Sequence, residues 1–164
     1  MNERYNVYST YLKERYGEKV YKLPISIPDT CPNRDGTLGT RGCAFCGSIG
    51  AGYENLPADM TIQRQIEANI AHIQPKYKAN KFIAYFQNFT NTYIRPDVFR
   101  QYLIEACRPD IVGIAVATRP DCVNTTYFDI MAEIKETYGV DILVEFGLQT
   151  VNYKTLQKIN RGHT

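Results

Sequence analysis

Ile111-Val112-Gly113-Ile114-Ala115-Val116-Ala117 is a run of seven residues without a charged side chain. A nearly continuous apolar run of this length reads as a strand of a parallel sheet, where helices cover both faces. Upstream, Pro96 suits a first helical position ahead of Phe99, Leu103 and Ala106. Downstream, Asn124 is placed to cap a helix bearing Phe128, Met131, Ile134 and Tyr138, and Gly139 to close it.

The same alternation extends in both directions. Phe82-Ile83-Ala84-Tyr85-Phe86 reads as a buried strand, preceded by a helix with Ile62, Ile66, Ile70 and Ile73 on one face. Asp59 or Thr61 is its predicted cap, and Pro75 is predicted to end or kink it. On the other side come the strand Ile142-Leu143-Val144-Glu145-Phe146-Gly147 and a last helix over about 152–161. At the front, Tyr5, Tyr8, Leu12 and Tyr16 predict a leading helix over about 3–16, stopped by Gly17. A strand follows over Val20 to Ile27, with Pro24 marking an edge or strand-end position.

Apolar strands alternating with helices predict an α/β fold of parallel βα units. Four strands and an unfinished last unit are too few for an eight-stranded barrel, so residues 1–164 are expected to be one domain truncated after about four units. A flavodoxin-like or Rossmann-type sheet shares the pattern, but no G-x-G-x-x-G follows the first strand.

Hydrophobic residues make up 44% and charged residues 22% of the 164, an ordinary globular balance. No apolar run approaches the roughly 18 residues needed to span a bilayer, and Met1-Asn2-Glu3-Arg4 lacks the apolar stretch of a secretion signal. A cytoplasmic protein without a membrane partner is expected. A net charge of +2 gives no argument for nucleic acid. Five cysteines, an odd count with no secretory signal, speak against a disulfide framework.

Residues 29–57 are rich in Gly, Pro, Asn, Asp and Thr and have no hydrophobic period, the mark of a long functional loop. Cys31 is separated by eleven residues from Cys43, which is separated by two from Cys46. The loop follows the first strand, at the end where βα barrels carry their active sites. Three thiolates suit a four-iron cluster and leave its fourth iron open for a ligand. A structural zinc site is the alternative, and needs a fourth ligand from His72 or His163. It would make the chain a zinc-stabilised nucleic-acid-binding module, with Lys154, Lys158 and Arg161 as its cations. A thioredoxin-like pair at Cys43 and Cys46 fits less well, because the pair lies in a long loop. Cys107 and Cys122 read as packing residues.

Longer motifs add to the spacing. Cys31-Pro32-Asn33-Arg34-Asp35-Gly36-Thr37 and Gly42-Cys43-Ala44-Phe45-Cys46 are followed by Tyr85-Phe86-Gln87, Thr118-Arg119-Pro120-Asp121, Glu145-Phe146-Gly147-Leu148-Gln149 and Ile159-Asn160-Arg161-Gly162-His163. In this order they closely resemble the radical S-adenosylmethionine (radical SAM) proteins of the YhcC/YtqA-like family, related to the elongator-type radical SAM proteins. The commonest pattern of the superfamily is C-x-x-x-C-x-x-C; the wider first gap here matches the elongator-like branch. That family also carries two further βα units and a Gly-Pro-rich motif.

The resemblance implies part of a radical SAM partial TIM barrel, with a [4Fe-4S] cluster on Cys31, Cys43 and Cys46 that reductively cleaves S-adenosyl-L-methionine to a 5′-deoxyadenosyl radical. It implies cofactor contacts from six further residues. Phe45 would lie against the adenine. Gln87 stands where relatives hold the methionine amino group with Gly-Gly-Glu, from which Tyr85-Phe86-Gln87 departs. Thr118 would line the site at a strand end. Glu145, Gln149 and Arg161 would meet the ribose and carboxylate, Arg161 from about three turns along the last helix; alternatively Glu145 and Arg161 pair with each other. The resemblance also implies an electron donor such as flavodoxin or ferredoxin and, by analogy with the elongator-type proteins, RNA among the candidate substrates.

Overall fold

A computed structural model describes residues 4–50 and 52–163. Nine elements follow one another: α1 (Tyr8–Tyr16), β1 (Val20–Ile25), α2 (Ile62–Tyr77), β2 (Lys81–Phe86), α3 (Pro96–Ala106), β3 (Ile111–Thr118), α4 (Thr125–Tyr138), β4 (Asp141–Phe146) and α5 (Tyr153–Lys158). The four strands form one sheet in the order β1-β2-β3-β4, and every neighbouring pair is parallel. The α/β alternation of the sequence is therefore the architecture. Strand order never reverses, so these four strands lack the switch-point crevice of doubly wound sheets.

Alternation along each strand divides the sheet into two faces. One carries Leu23, Ile25, Phe82, Ala84, Phe86, Ile114 and Val116, which pack with Ile66 of α2, Leu103 of α3 and Ile134 of α4. Phe99 of α3 is almost fully buried there, its ring edge-on to Tyr127 of α4 at 5.4 Å between centroids. Removing a ring so placed typically costs 3–5 kcal/mol. The other face is covered at its lower end by α1, whose Leu12 packs with Val20, Ile83 and Ala115. Arg15 and Tyr16 of α1 fasten it to Asp141 of β4, Arg15 through two hydrogen bonds of 2.7 Å. Farther up, that face carries polar side chains and opens into a cavity.

Several boundaries differ from expectation. The leading helix begins at Tyr8, with Val7 at its N-cap making no side-chain capping bond and Tyr5 exposed ahead of it; Glu3 lies outside the described residues. β1 ends at Ile25, and Pro24 does sit on an edge strand. Thr61 caps α2, its hydroxyl accepting from Arg64 N, and the helix runs past Pro75 to Tyr77. Pro75 is exposed, so water can satisfy the carbonyl that its missing N–H leaves free. The buried face of α4 is Tyr127, Ile130, Met131 and Ile134, with Phe128 and Tyr138 outside. The last helix stops at Lys158, so Arg161 lies in the turn beyond it. β4 is half-exposed, and among the described residues it pairs on one side only.

Candidate functional site

Buried amides hold the upper strand ends in place. Gln65 of α2 reads both backbone groups of Ser26: its Oε1 accepts from the N–H and its Nε2 donates to the carbonyl, each at 2.8 Å. Asn91 donates to the carbonyls of Phe86, Asn88 and Ala117, joining the ends of β2 and β3. Thr118 closes β3 with its hydroxyl 2.6 Å from that of Thr92, which in turn donates to Cys122 O. Asp29 accepts from Thr90 N at 3.2 Å. Burial pushes the Asp29 carboxyl up to about 8 despite that contact.

Above these ends lies a cavity of about 310 Å³. Cys31, Cys43, Cys46, Phe45, Gln87, Thr118, Glu145, Gln149 and Arg161 all line it, together with Arg34, Tyr85, Phe89 and Arg119. Cys31 and Cys43 are buried, Cys46 is half-buried, and Phe45 is 56% exposed at the rim. Among the described residues no three His, Cys, Asp or Glu side chains converge on the position of a single metal ion. His72 lines a separate groove, and His163 accepts from Arg161 Nε at 3.1 Å; neither lines the cysteine cavity.

The cysteine loop is braced from two sides. Arg34 donates to the carbonyls of Cys46 and Gly47, tying down the turn that carries the C-x-x-C pair. Gly42 has a φ of +72°, and a Cβ there would stand 3.1 Å from Arg34 Nε. From the far end of the chain, residues 159–163 lie on the same loop. Asn33 Nδ2 donates to Asn160 O at 2.7 Å and Arg161 O at 2.9 Å, Asn160 Nδ2 donates to Gly42 O at 2.7 Å, and Ala44 N donates to Ile159 O at 2.9 Å. Gly162, at φ +76°, permits the approach: a Cβ there would fall 2.0 Å from Asn33 Oδ1.

Two guanidinium groups face the sulfurs. Arg119, 1% exposed, brings Nη1 to 3.7 Å from Cys31 Sγ and holds Asp121 through two hydrogen bonds of 2.9 and 2.6 Å. Burial works against the Arg119 charge, but Asp121 outweighs it and keeps the group cationic. Arg161, 7% exposed, brings Nη1 to 3.5 Å from Cys43 Sγ, while Nε meets His163 and Nη2 meets Gly147 O. The fork expected to face a carboxylate is thus turned onto protein acceptors.

Glu145 does not pair with Arg161. Its carboxylate accepts from Lys22 Nζ at 2.6 Å and from Tyr85 Oη at 2.7 Å, and Lys22 Nζ also lies 4.1 Å from the centre of the Tyr85 ring. Burial pushes the Glu145 carboxyl upward, but the bonds from Lys22 and Tyr85 outweigh it and hold the group below its ordinary value. Burial and the adjacent carboxylate push the Tyr85 phenol well above its ordinary value.

Cys107 donates to Leu103 O at 3.2 Å and Cys122 sits beside Asp121. Burial pushes each thiol up to about 11, so both are protonated at neutral pH. Sequence reasoning missed Asn33, Arg34, Lys22, Tyr85 and Asn160 as parts of the site. Four of them stand inside quoted motifs, but their partners lie across the fold; Lys22 gave no sequence signal beyond a cation in an apolar strand.

No family model matches this chain. It is similar to curated proteins of bacteria and an archaeon. It is 41% identical over 165 residues to the uncharacterized protein YtqA of Bacillus subtilis, covering 98% of this chain and 50% of that protein. It is 38% identical over 161 residues to the protein YhcC of Escherichia coli, covering 96% of this chain and 50% of that protein. It is 31% identical over 159 residues to the uncharacterized protein MJ0486 of Methanocaldococcus jannaschii, covering 95% and 48% respectively. The chain spans about half the length of the curated relatives it matches.

Proposed function

We propose that this chain is the cluster-bearing part of a radical S-adenosylmethionine enzyme, its sheet the beginning of a partial TIM barrel. The observation that carries this is the meeting of Cys31, Cys43 and Cys46 at one cavity above the strand ends, with Arg161 buried against Cys43 Sγ and, among the described residues, no carboxylate bonded to it. A buried cation without a counter-charge is unfavourable, so the cavity is suited to hold negative charge. Three thiolates on an iron-sulfur cluster supply it. The donor set fits: the ligands are soft sulfurs, two of them within reach of N–H donors, and neither histidine lines their cavity.

When bound, a [4Fe-4S] cluster with one open iron supplies the electron that cleaves S-adenosyl-L-methionine to a 5′-deoxyadenosyl radical. The chain's own residues bind and orient. Phe45 offers a ring face at the rim for the adenine. Gln87, Thr118 and Gln149 offer hydrogen-bonding groups at the ends of three successive strands. Glu145 is fixed by Lys22 and Tyr85 with its charge retained, ready to accept from a ribose hydroxyl.

Among the described residues no helix is long and apolar enough to cross a membrane. A thiolate-held cluster belongs in a reducing compartment, which favours the cytoplasm. An electron donor such as flavodoxin or ferredoxin, and RNA as the substrate class, complete the proposal; RNA rests on analogy with the elongator-type proteins. The zinc-stabilised nucleic-acid reading asks for a fourth ligand from a histidine, and neither His72 nor His163 lines the cysteine cavity.

The test is anaerobic reconstitution with iron and sulfide, followed by reduction with S-adenosylmethionine present. Formation of 5′-deoxyadenosine by the wild-type chain, and its loss in Cys43→Ser, is expected. A full cluster that yields no 5′-deoxyadenosine would overturn the assignment.

A further inference from the structure

Arg161 occupies an unusual position for a cation. It is 7% exposed, and its three guanidinium nitrogens meet His163 Nε2, Cys43 Sγ and Gly147 O. None of these is a carboxylate. The other buried guanidinium, Arg119, has Asp121 as a bidentate partner and is locally neutral. Among the described residues Arg161 therefore brings a positive charge without a carboxylate partner to the cysteine cavity, with the polarisable Cys43 sulfur in its reach. Asn33 Nδ2 adds a second donor to the same sulfur at 3.4 Å.

We propose that Arg161 is a positioning residue for the cluster, a fixed N–H donor and counter-charge to Cys43 Sγ that raises the cluster's reduction potential. Hydrogen bonds to ligand sulfurs and the net charge around them are two of the levers that set such potentials. A cation held 3.5 Å from a ligand sulfur stabilises the reduced, more negative state over the oxidised one. Burial and the bracing by Asn33 and Gly162 fix that distance, so solvent screens the charge little. The same geometry explains why the Ile159–His163 segment returns to a loop more than a hundred residues earlier in the chain.

Resting on the assignment of Cys31, Cys43 and Cys46 as ligands, this inference is tested by a redox titration of the reconstituted wild-type chain, Arg161→Met and Arg161→Lys, following cluster reduction by EPR and absorbance. Arg161→Met is expected to disfavour one-electron reduction by about tenfold, a midpoint about 59 mV more negative. Arg161→Lys, which keeps the charge and loses the fixed N–H···S contact, is expected to fall between the two. If Arg161→Met assembles no cluster, a lowered potential in Arg161→Lys carries the inference. An unchanged potential in either variant that holds iron overturns it. So does loss of iron from both variants while the wild type holds it, which would make Arg161 a scaffold of the loop. Failure of the wild type to assemble any cluster would instead remove the ligand assignment beneath it.

Discussion

Asn33 and Asn160, 127 residues apart, are joined by a hydrogen bond of 2.7 Å from the side-chain amide of the first to the carbonyl of the second. Asn33 also donates to Arg161 O, and its Oδ1 occupies the space that a Cβ at Gly162 would need. Asn33→Ala should therefore destabilise the fold by about 1–3 kcal/mol, the typical result of leaving buried acceptors unpaired. Gly162→Ala should also destabilise, through the contact and through a left-handed backbone worth about 1–2 kcal/mol. The double variant should be more stable than the sum of the two predicts, because Asn33→Ala removes the atom that the new methyl meets. Denaturant unfolding of the four proteins checks this; strict additivity would mean that the two segments do not press on each other.

Glu145 makes a second prediction, read in the titration of a neighbour. Burial is the larger cause of the raised Tyr85 phenol, and the Glu145 carboxylate the next. Glu145→Gln should bring Tyr85 ionisation down, yet leave it above that of an exposed tyrosine. Ultraviolet titration against a Tyr85→Phe reference isolates the signal. A Tyr85 transition unmoved by Glu145→Gln would contradict the contact.

Asp29 gives stability a pH dependence of definite sign. Its folded value, about 8, lies above its ordinary 3.8, so the folded state binds the proton more tightly than the unfolded state does. Its contribution is complete below the ordinary value and is lost as pH rises toward about 8. Wild type should lose stability relative to Asp29→Asn across that window. Parallel unfolding curves at several pH values would show it, and a constant difference between the two proteins would rule it out.

Legibility in the sequence followed the physics of each signal. The apolar run at Ile111–Ala117 disclosed a buried parallel strand because side chains packed on both faces leave no polar period. Asn124 and Thr61 were readable as caps because capping is local. Phe128 misled because helical spacing alone does not say which of two adjacent stripes meets the core. At the site, the three cysteines and the six expected cofactor contacts, Phe45, Gln87, Thr118, Glu145, Gln149 and Arg161, all line one cavity. Their partners were hidden: Lys22 meets Glu145 only because β1 and β4 bring the two side chains to one face, and Arg161 reaches Cys43 only because the helix stops short at Lys158. Contacts between residues more than a hundred positions apart have no local signature.

The central claim is that Cys31, Cys43 and Cys46, and no other cysteines, hold an iron-sulfur cluster. Iron and sulfide content after anaerobic reconstitution tests it most directly, measured with the visible absorbance on wild type and on each cysteine-to-serine variant. Expected are about four irons per wild-type chain, loss of the full cluster in Cys31→Ser, Cys43→Ser and Cys46→Ser, and retention in Cys107→Ser and Cys122→Ser, whose half-buried thiols are protonated. A full cluster in Cys43→Ser, or a native protein that carries zinc alone, would contradict it.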